Sequence, residues 1–121
     1  MTPIPGTELA TGYRISRILK GGWQLAGGHG AVDRAAALDD MARFVDAGVT
    51  TFDCADIYTG VEELIGEFIR TRGPGPELQI HTKYVPDIDT LPVLTKADVN
   101  RAIDRSLQRL GVERLDLVQF H

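Results

Sequence analysis

Three amphipathic helical periods, each set between short runs of β-branched and aromatic residues, constrain this chain of 121 residues more than any other feature. The first period, residues 33–47, puts Leu38, Met41, Ala42 and Val45 on one face, with Asp33 placed to cap it and Gly48 to stop it. The second, residues 61–70, turns Leu64, Ile65, Phe68 and Ile69 inward and is broken by Gly73-Pro74-Gly75-Pro76. The third, residues 96–110, buries Val99, Ile103, Leu107 and Leu110. Thr95 and Asp98 have the spacing of a capping box ahead of it, and Gly111 closes it. Strand patterns fall at about residues 17–25, 49–52, 78–84 and 115–120. Strand and helix therefore alternate, which calls for a parallel sheet joined by right-handed crossovers. Two architectures satisfy that order, an open doubly wound sheet and part of a barrel. Ahead of them, residues 9–15 predict a small hairpin turning at Thr11-Gly12, within an N-terminal segment of residues 1–16.

Composition narrows the function classes. Residues 1–121 make one domain of ordinary size. A net charge of −4, with no Lys/Arg stripe, argues against a nucleic-acid partner. No apolar run approaches the roughly 20 residues that span a bilayer, so no membrane partner is expected. Residues 1–6 show neither the basic nor the apolar part of a secretory signal. The single cysteine, Cys54, suits a reducing compartment, and a cytoplasmic location is the expectation.

In either architecture, ligands gather beyond the carboxyl ends of the strands. Asp53 lies at the end of the second core strand, Lys83 at the end of the third and His121 at the end of the fourth, while Tyr58 follows Asp53 in the next loop. Taken singly, Asp53 reads as a strand terminator and Tyr58 as a half-buried aromatic. Charged groups at successive strand ends cost desolvation unless a site uses them, which favours a shared pocket. The Gly27-Gly28-His29-Gly30 segment reads as loop, since it matches neither glycine-rich phosphate-binding pattern. His29, His81 and His121 have no metal-ligand spacing, so no metal is expected. His81 is expected to face away from Lys83 and to serve packing.

The stretch Phe52-Asp53-Cys54-Ala55-Asp56-Ile57-Tyr58, followed by Glu62-Glu63-Leu64-Ile65-Gly66, resembles the signature of the aldo-keto reductases around their catalytic Asp and Tyr. His81-Thr82-Lys83 resembles the strand carrying that family's catalytic Lys, and Leu115-Asp116-Leu117-Val118-Gln119-Phe120-His121 the one carrying its His. Gly22-Trp23 resembles the glycine-aromatic turn near the nicotinamide. The resemblance runs from about Arg17 to His121. It implies a (β/α)8 TIM barrel, of which this chain would hold strands one to four and helices one to three, with the hairpin plugging the bottom.

The resemblance also implies an activity, the reduction of an aldehyde or ketone to an alcohol with hydride from NADPH. Tyr58 would be the general acid, Lys83 would stabilise its phenolate, and Asp53 would pair with Lys83. His121 would hydrogen-bond the oxygen of a small-molecule carbonyl substrate. Gly22, Trp23 and Asp53 would touch the nicotinamide. Thr59 stands where the family usually has glycine, and Cys54 where it has a small hydroxyl residue or similar. Barrels of this type run to about 250 residues, so the resemblance makes the chain an incomplete barrel, a truncated product or fragment. Self-association through uncovered barrel surface is then expected, and a non-catalytic half-barrel that serves as an interaction module is the alternative to an enzyme.

Overall fold

The computed structural model describes residues 2–28 and 30–121; His29, assigned above to the glycine-rich loop, lies outside the described residues. Strands β1 (Gly6–Ala10) and β2 (Tyr13–Ser16) form an antiparallel hairpin through Thr11 and Gly12, as the turn signal predicts. The chain continues through β3 (Leu19–Gly21), a 3-10 turn (Trp23–Leu25), α1 (Arg34–Asp46), β4 (Thr51–Asp53) and α2 (Val61–Thr71). It then forms β5 (Gln79–Tyr84), a second 3-10 segment (Ile88–Val93), α3 (Lys96–Leu110) and β6 (Leu117–Phe120).

The helices begin where local chemistry dictates. The Asp33 carboxylate accepts the Ala36 N–H at 3.1 Å ahead of α1. Thr95 and Asp98 form a full capping box: the Thr95 hydroxyl accepts the Asp98 N–H, and the Asp98 carboxylate accepts the Thr95 N–H at 2.8 Å. Helix α2 instead follows Gly60 at its N-cap, which has φ 79° and no side-chain cap, directly after Thr59.

Strands β3, β4, β5 and β6 are parallel and lie side by side in chain order. A doubly wound sheet reverses its order at a switch point. This sheet does not reverse among the described residues, so the architecture is the first four strands and three helices of a (β/α)8 barrel. None of the described helices is long and apolar enough to cross a membrane.

Strand residues alternate between two faces. On the outer face Phe52 and Ile80 are buried beneath the helices, and Phe52 stacks on Phe68 of α2 with ring centroids 5.7 Å apart and planes at 13°. Helices α2 and α3 meet at Gly66, where a Cβ would stand 2.6 Å from the Leu110 carbonyl oxygen. On the inner face, the hairpin closes the amino end of the sheet. The Ser16 hydroxyl accepts the Thr50 and Thr51 N–H groups, each at 3.1 Å, and Ser16 N–H donates to the Thr51 hydroxyl at 2.9 Å. Tyr13 OH lies 2.8 Å from His81 Nε2.

That contact corrects the expected orientation of His81. Residues two apart on a strand share a face, so His81 lies on the same inner face as Lys83, below it. Its packing role stands, because the ring is buried and tied to Tyr13.

Candidate active site

Asp53 ends β4, and the register pairs it with His81 on β5. Lys83 therefore stands two residues further along the neighbouring strand, and its side chain reaches across. Its ammonium donates to Asp53 Oδ2 at 2.9 Å and to the Cys54 carbonyl at 3.0 Å. The Lys83 and Asp53 side chains are 16% and 30% exposed. A pair this shielded escapes most of the screening that makes surface ion pairs nearly worthless, and two fixed acceptors orient the ammonium.

Tyr58 lies in the loop between β4 and α2, half-buried, with its ring centroid 5.4 Å from Lys83 Nζ. A carboxylate, an ammonium and a phenol thus converge at one end of the sheet. Gly22 joins them from the turn just after β3: its N–H donates to the Asp53 carbonyl at 2.9 Å. A Cβ on Gly22 would meet Val61 Cγ1 at 2.7 Å, so only glycine lets the chain pass this close. Trp23 follows at the rim and is 54% exposed.

His121 stands one strand further on. Its N–H donates to the Tyr84 carbonyl at 2.9 Å, and the residue is exposed. It is in phase with Gln119, the register partner of Lys83, so it falls on the same inner face. Cys54 is fully buried, and its thiol donates to the His81 carbonyl at 3.2 Å. Burial pushes that thiol up to about 12, which leaves it protonated and a packing group.

Four more charged residues shape the site. Asp56 and Glu62 flank Tyr58, and their side chains are almost fully buried. Asp56 accepts the Val85 N–H at 3.1 Å and Arg105 Nη2 at 3.0 Å. Glu62 accepts the Thr82 hydroxyl at 2.9 Å and Arg109 Nη1 at 3.0 Å. The resemblance assigns no role to Asp56 or Glu62, and no sequence motif marks Arg105 or Arg109. One signal points to Glu62: it falls in helical phase with Ile65, three residues on, at the start of α2, and a carboxylate buried there needs a partner.

The model of the aldo/keto reductase family matches residues 17–121. The 6-dehydroglucose reductase of Novosphingobium aromaticivorans is 34% identical over 120 residues, covering 92% of this chain and 39% of that protein. Aldo-keto reductase YhdN of Bacillus subtilis is 28% identical over 117 residues, covering 92% of this chain and 35% of its own length. Among solved structures, a silkworm (Bombyx mori) aldo-keto reductase complexed with NADPH superposes with a TM-score of 0.77 at 26% identity, covering 98% of this chain and 36% of that one. The chain thus spans little more than a third of the length of these relatives. It belongs to the aldo/keto reductase family.

Proposed function

We propose that this chain carries the proton-donating side of an NADP(H)-dependent active site that reduces aldehydes or ketones to alcohols. The observation that carries this reading is the Lys83 ammonium, held 2.9 Å from Asp53 and 5.4 Å from the Tyr58 ring at the carboxyl ends of adjacent strands.

Reduction of a carbonyl leaves negative charge on its oxygen, which must take up a proton. Tyr58 is the donor. A phenol gives up its proton reluctantly at neutral pH, and the Lys83 ammonium stabilises the phenolate left behind. Asp53 and the Cys54 carbonyl fix the ammonium, so no reorganisation is needed as charge develops. His121 hydrogen-bonds the oxygen of a small-molecule carbonyl and orients it for attack. When bound, NADPH supplies the hydride. The residues present fit its nicotinamide end: Gly22 offers an edge without a side chain, Trp23 a half-exposed ring, and Asp53 an acceptor at the same rim.

Two features of setting belong to the same reading. Cys54 is free and buried, which supports a cytoplasmic, reducing environment. Val118 and Phe120 are 38% and 63% exposed on β6, which pairs only with β5 among the described residues; this supports self-association through that edge. Light scattering at rising concentration tests the second.

The test of the activity is a chimera in which this chain replaces the matching first part of the silkworm aldo-keto reductase. The expected result is NADPH-dependent reduction of small aldehydes that falls about 10²-fold or more in Tyr58→Phe, the scale of general-acid catalysis. A chimera that binds NADPH yet keeps near-normal turnover without the phenol would contradict the proposal.

A further inference from the structure

The Tyr58 loop is short and rich in small residues, and it must hold a phenol still against an ammonium carried by a different strand. Its own backbone does part of this. Cys54 and Asp56 N–H groups donate to the His81 and Lys83 carbonyls at 2.9 and 3.0 Å, which extends the pairing with β5 past the end of β4. Tyr58 N–H then turns back to the Ala55 carbonyl at 3.1 Å, and Val61 N–H to the Tyr58 carbonyl at 3.0 Å. From Tyr58 to the start of α2, these bonds are local and fix the loop only to itself.

Beyond these backbone bonds and the Val85 N–H held by the Asp56 carboxylate at 3.1 Å, the loop is tied to α3. A single nitrogen of Arg109, Nη1, donates to the Asp56 carbonyl at 2.9 Å and to Glu62 Oε1 at 3.0 Å. Asp56 precedes Tyr58 by two residues and Glu62 follows it by four. One guanidinium therefore grips both flanks of the phenol-bearing turn. Arg105, one helical turn earlier, holds the Asp56 carboxylate at 3.0 Å. The far side of Glu62 is bonded to Thr82, the residue before Lys83. The chain of contacts runs from Arg109 through Glu62 and Thr82 to the strand that carries the ammonium, and from Arg109 through Asp56 to the loop that carries the phenol.

We propose that Arg109 is a positioning residue, which sets the distance between the Tyr58 phenol and the Lys83 ammonium by clamping the Asp56 carbonyl and the Glu62 carboxylate. It touches neither reacting group. Its consequence for catalysis rests on the reading of Tyr58 as the acid, whereas its effect on position does not. The geometry explains why arginine is used, since a planar fork donates in several fixed directions and a lysine ammonium is a point charge. It also explains how two carboxylates can be buried beside the site: each retains a guanidinium partner that is itself partly open to water.

The test uses the 121-residue chain and needs no turnover. Arg109→Met and Arg109→Lys are compared with the original chain by NMR. The first readout is cross-relaxation between the Tyr58 ring and the Lys83 side chain. The second is hydrogen exchange at the Tyr58 and Val61 amides. The Phe52–Phe68 ring contact and the β5 amides report on the fold.

In Arg109→Met the Tyr58–Lys83 signal is expected to fall to less than about half, and the two amides to exchange about tenfold faster or more, with the fold markers unchanged. Arg109→Lys keeps a charge for Glu62 and should lie between. A folded Arg109→Met chain that retains both Tyr58 signals overturns the proposal. Should that variant not fold, Arg109→Lys is read by the same criterion, and unchanged Tyr58 signals overturn it. If Tyr58→Phe left turnover intact while these signals moved as expected, the reading of Tyr58 as the acid would fail and the clamp would stand.

Discussion

The two faces of β4 and β5 use the same backbone for opposite purposes. Outward, Phe52 and Ile80 are dry and packed in the core beneath the helices, and their stabilisation comes from area removed from water. Inward, Thr51, Asp53, His81 and Lys83 are polar and each is held by a directed bond: Thr51 to Ser16 and His81 to Tyr13 at the hairpin end, and Lys83 to Asp53 at the other. Alternation at a period of two is enough to separate the jobs. One face serves mainly stability and the other mainly chemistry, and they are linked where Thr82, on the outer face beside Lys83, bonds to Glu62.

Substitutions on the outer face should break the fold and say little of the site. Phe52→Ala removes a fully buried ring and its stack, and should cost about 3–5 kcal/mol in a denaturant melt. Gly66→Ala should cost about 1–3 kcal/mol, since the new methyl meets the Leu110 carbonyl at 2.6 Å and two helices must part to admit it. A melt that left either variant within error of the original would mean that the helix layer is looser than described.

The inner face should respond to pH. Burial holds the His81 pKa below its ordinary value of 6.5; the charges of Asp53 and Asp116 pull it upward, but burial is the larger influence. Above 6.5 the ring is neutral in both states, and its contribution to stability is fully present. As pH falls below that value the unfolded chain takes up the proton first, so stability declines until pH passes the folded-state pKa. Urea midpoints should therefore drop on acidification from neutrality, and His81→Asn, which does not titrate, should flatten that slope. An equal slope in the variant would assign the effect to other groups.

Much of this was legible in the chain because the signals were local. Helix α3 runs over the residues that Thr95, Asp98 and Gly111 delimit, since caps act within one turn. Asp53 and Lys83 stand out by their places at strand ends, and Tyr58 by its place in the loop after Asp53. Strand limits were less legible: β4 begins at Thr51 rather than Val49, because its length is set by pairing with β3 and β5. The orientation of His81 was misjudged although its phase with Lys83 is local. The clamp was not visible at all. Arg105 and Arg109 lie 49 and 53 residues from Asp56, and on α3 they read as ordinary exposed charges until the fold brings them to the loop.

The central claim is that Asp53, Lys83 and Tyr58 act as one proton-donating unit, and a double-mutant cycle tests it most directly. Tyr58→Phe, Lys83→Met and the double variant are made in the chimera with the silkworm protein, and carbonyl reduction is measured with NADPH affinity as control. Each single change should lower turnover by about 10²-fold or more, the scale of general-acid catalysis. If the lysine acts through the tyrosine as proposed, the double variant should lose far less than the product of the two losses, as groups that work as a unit do. Losses that multiply in full would show two independent contributions, and the ammonium held 2.9 Å from Asp53 would then have some purpose other than supporting the phenol.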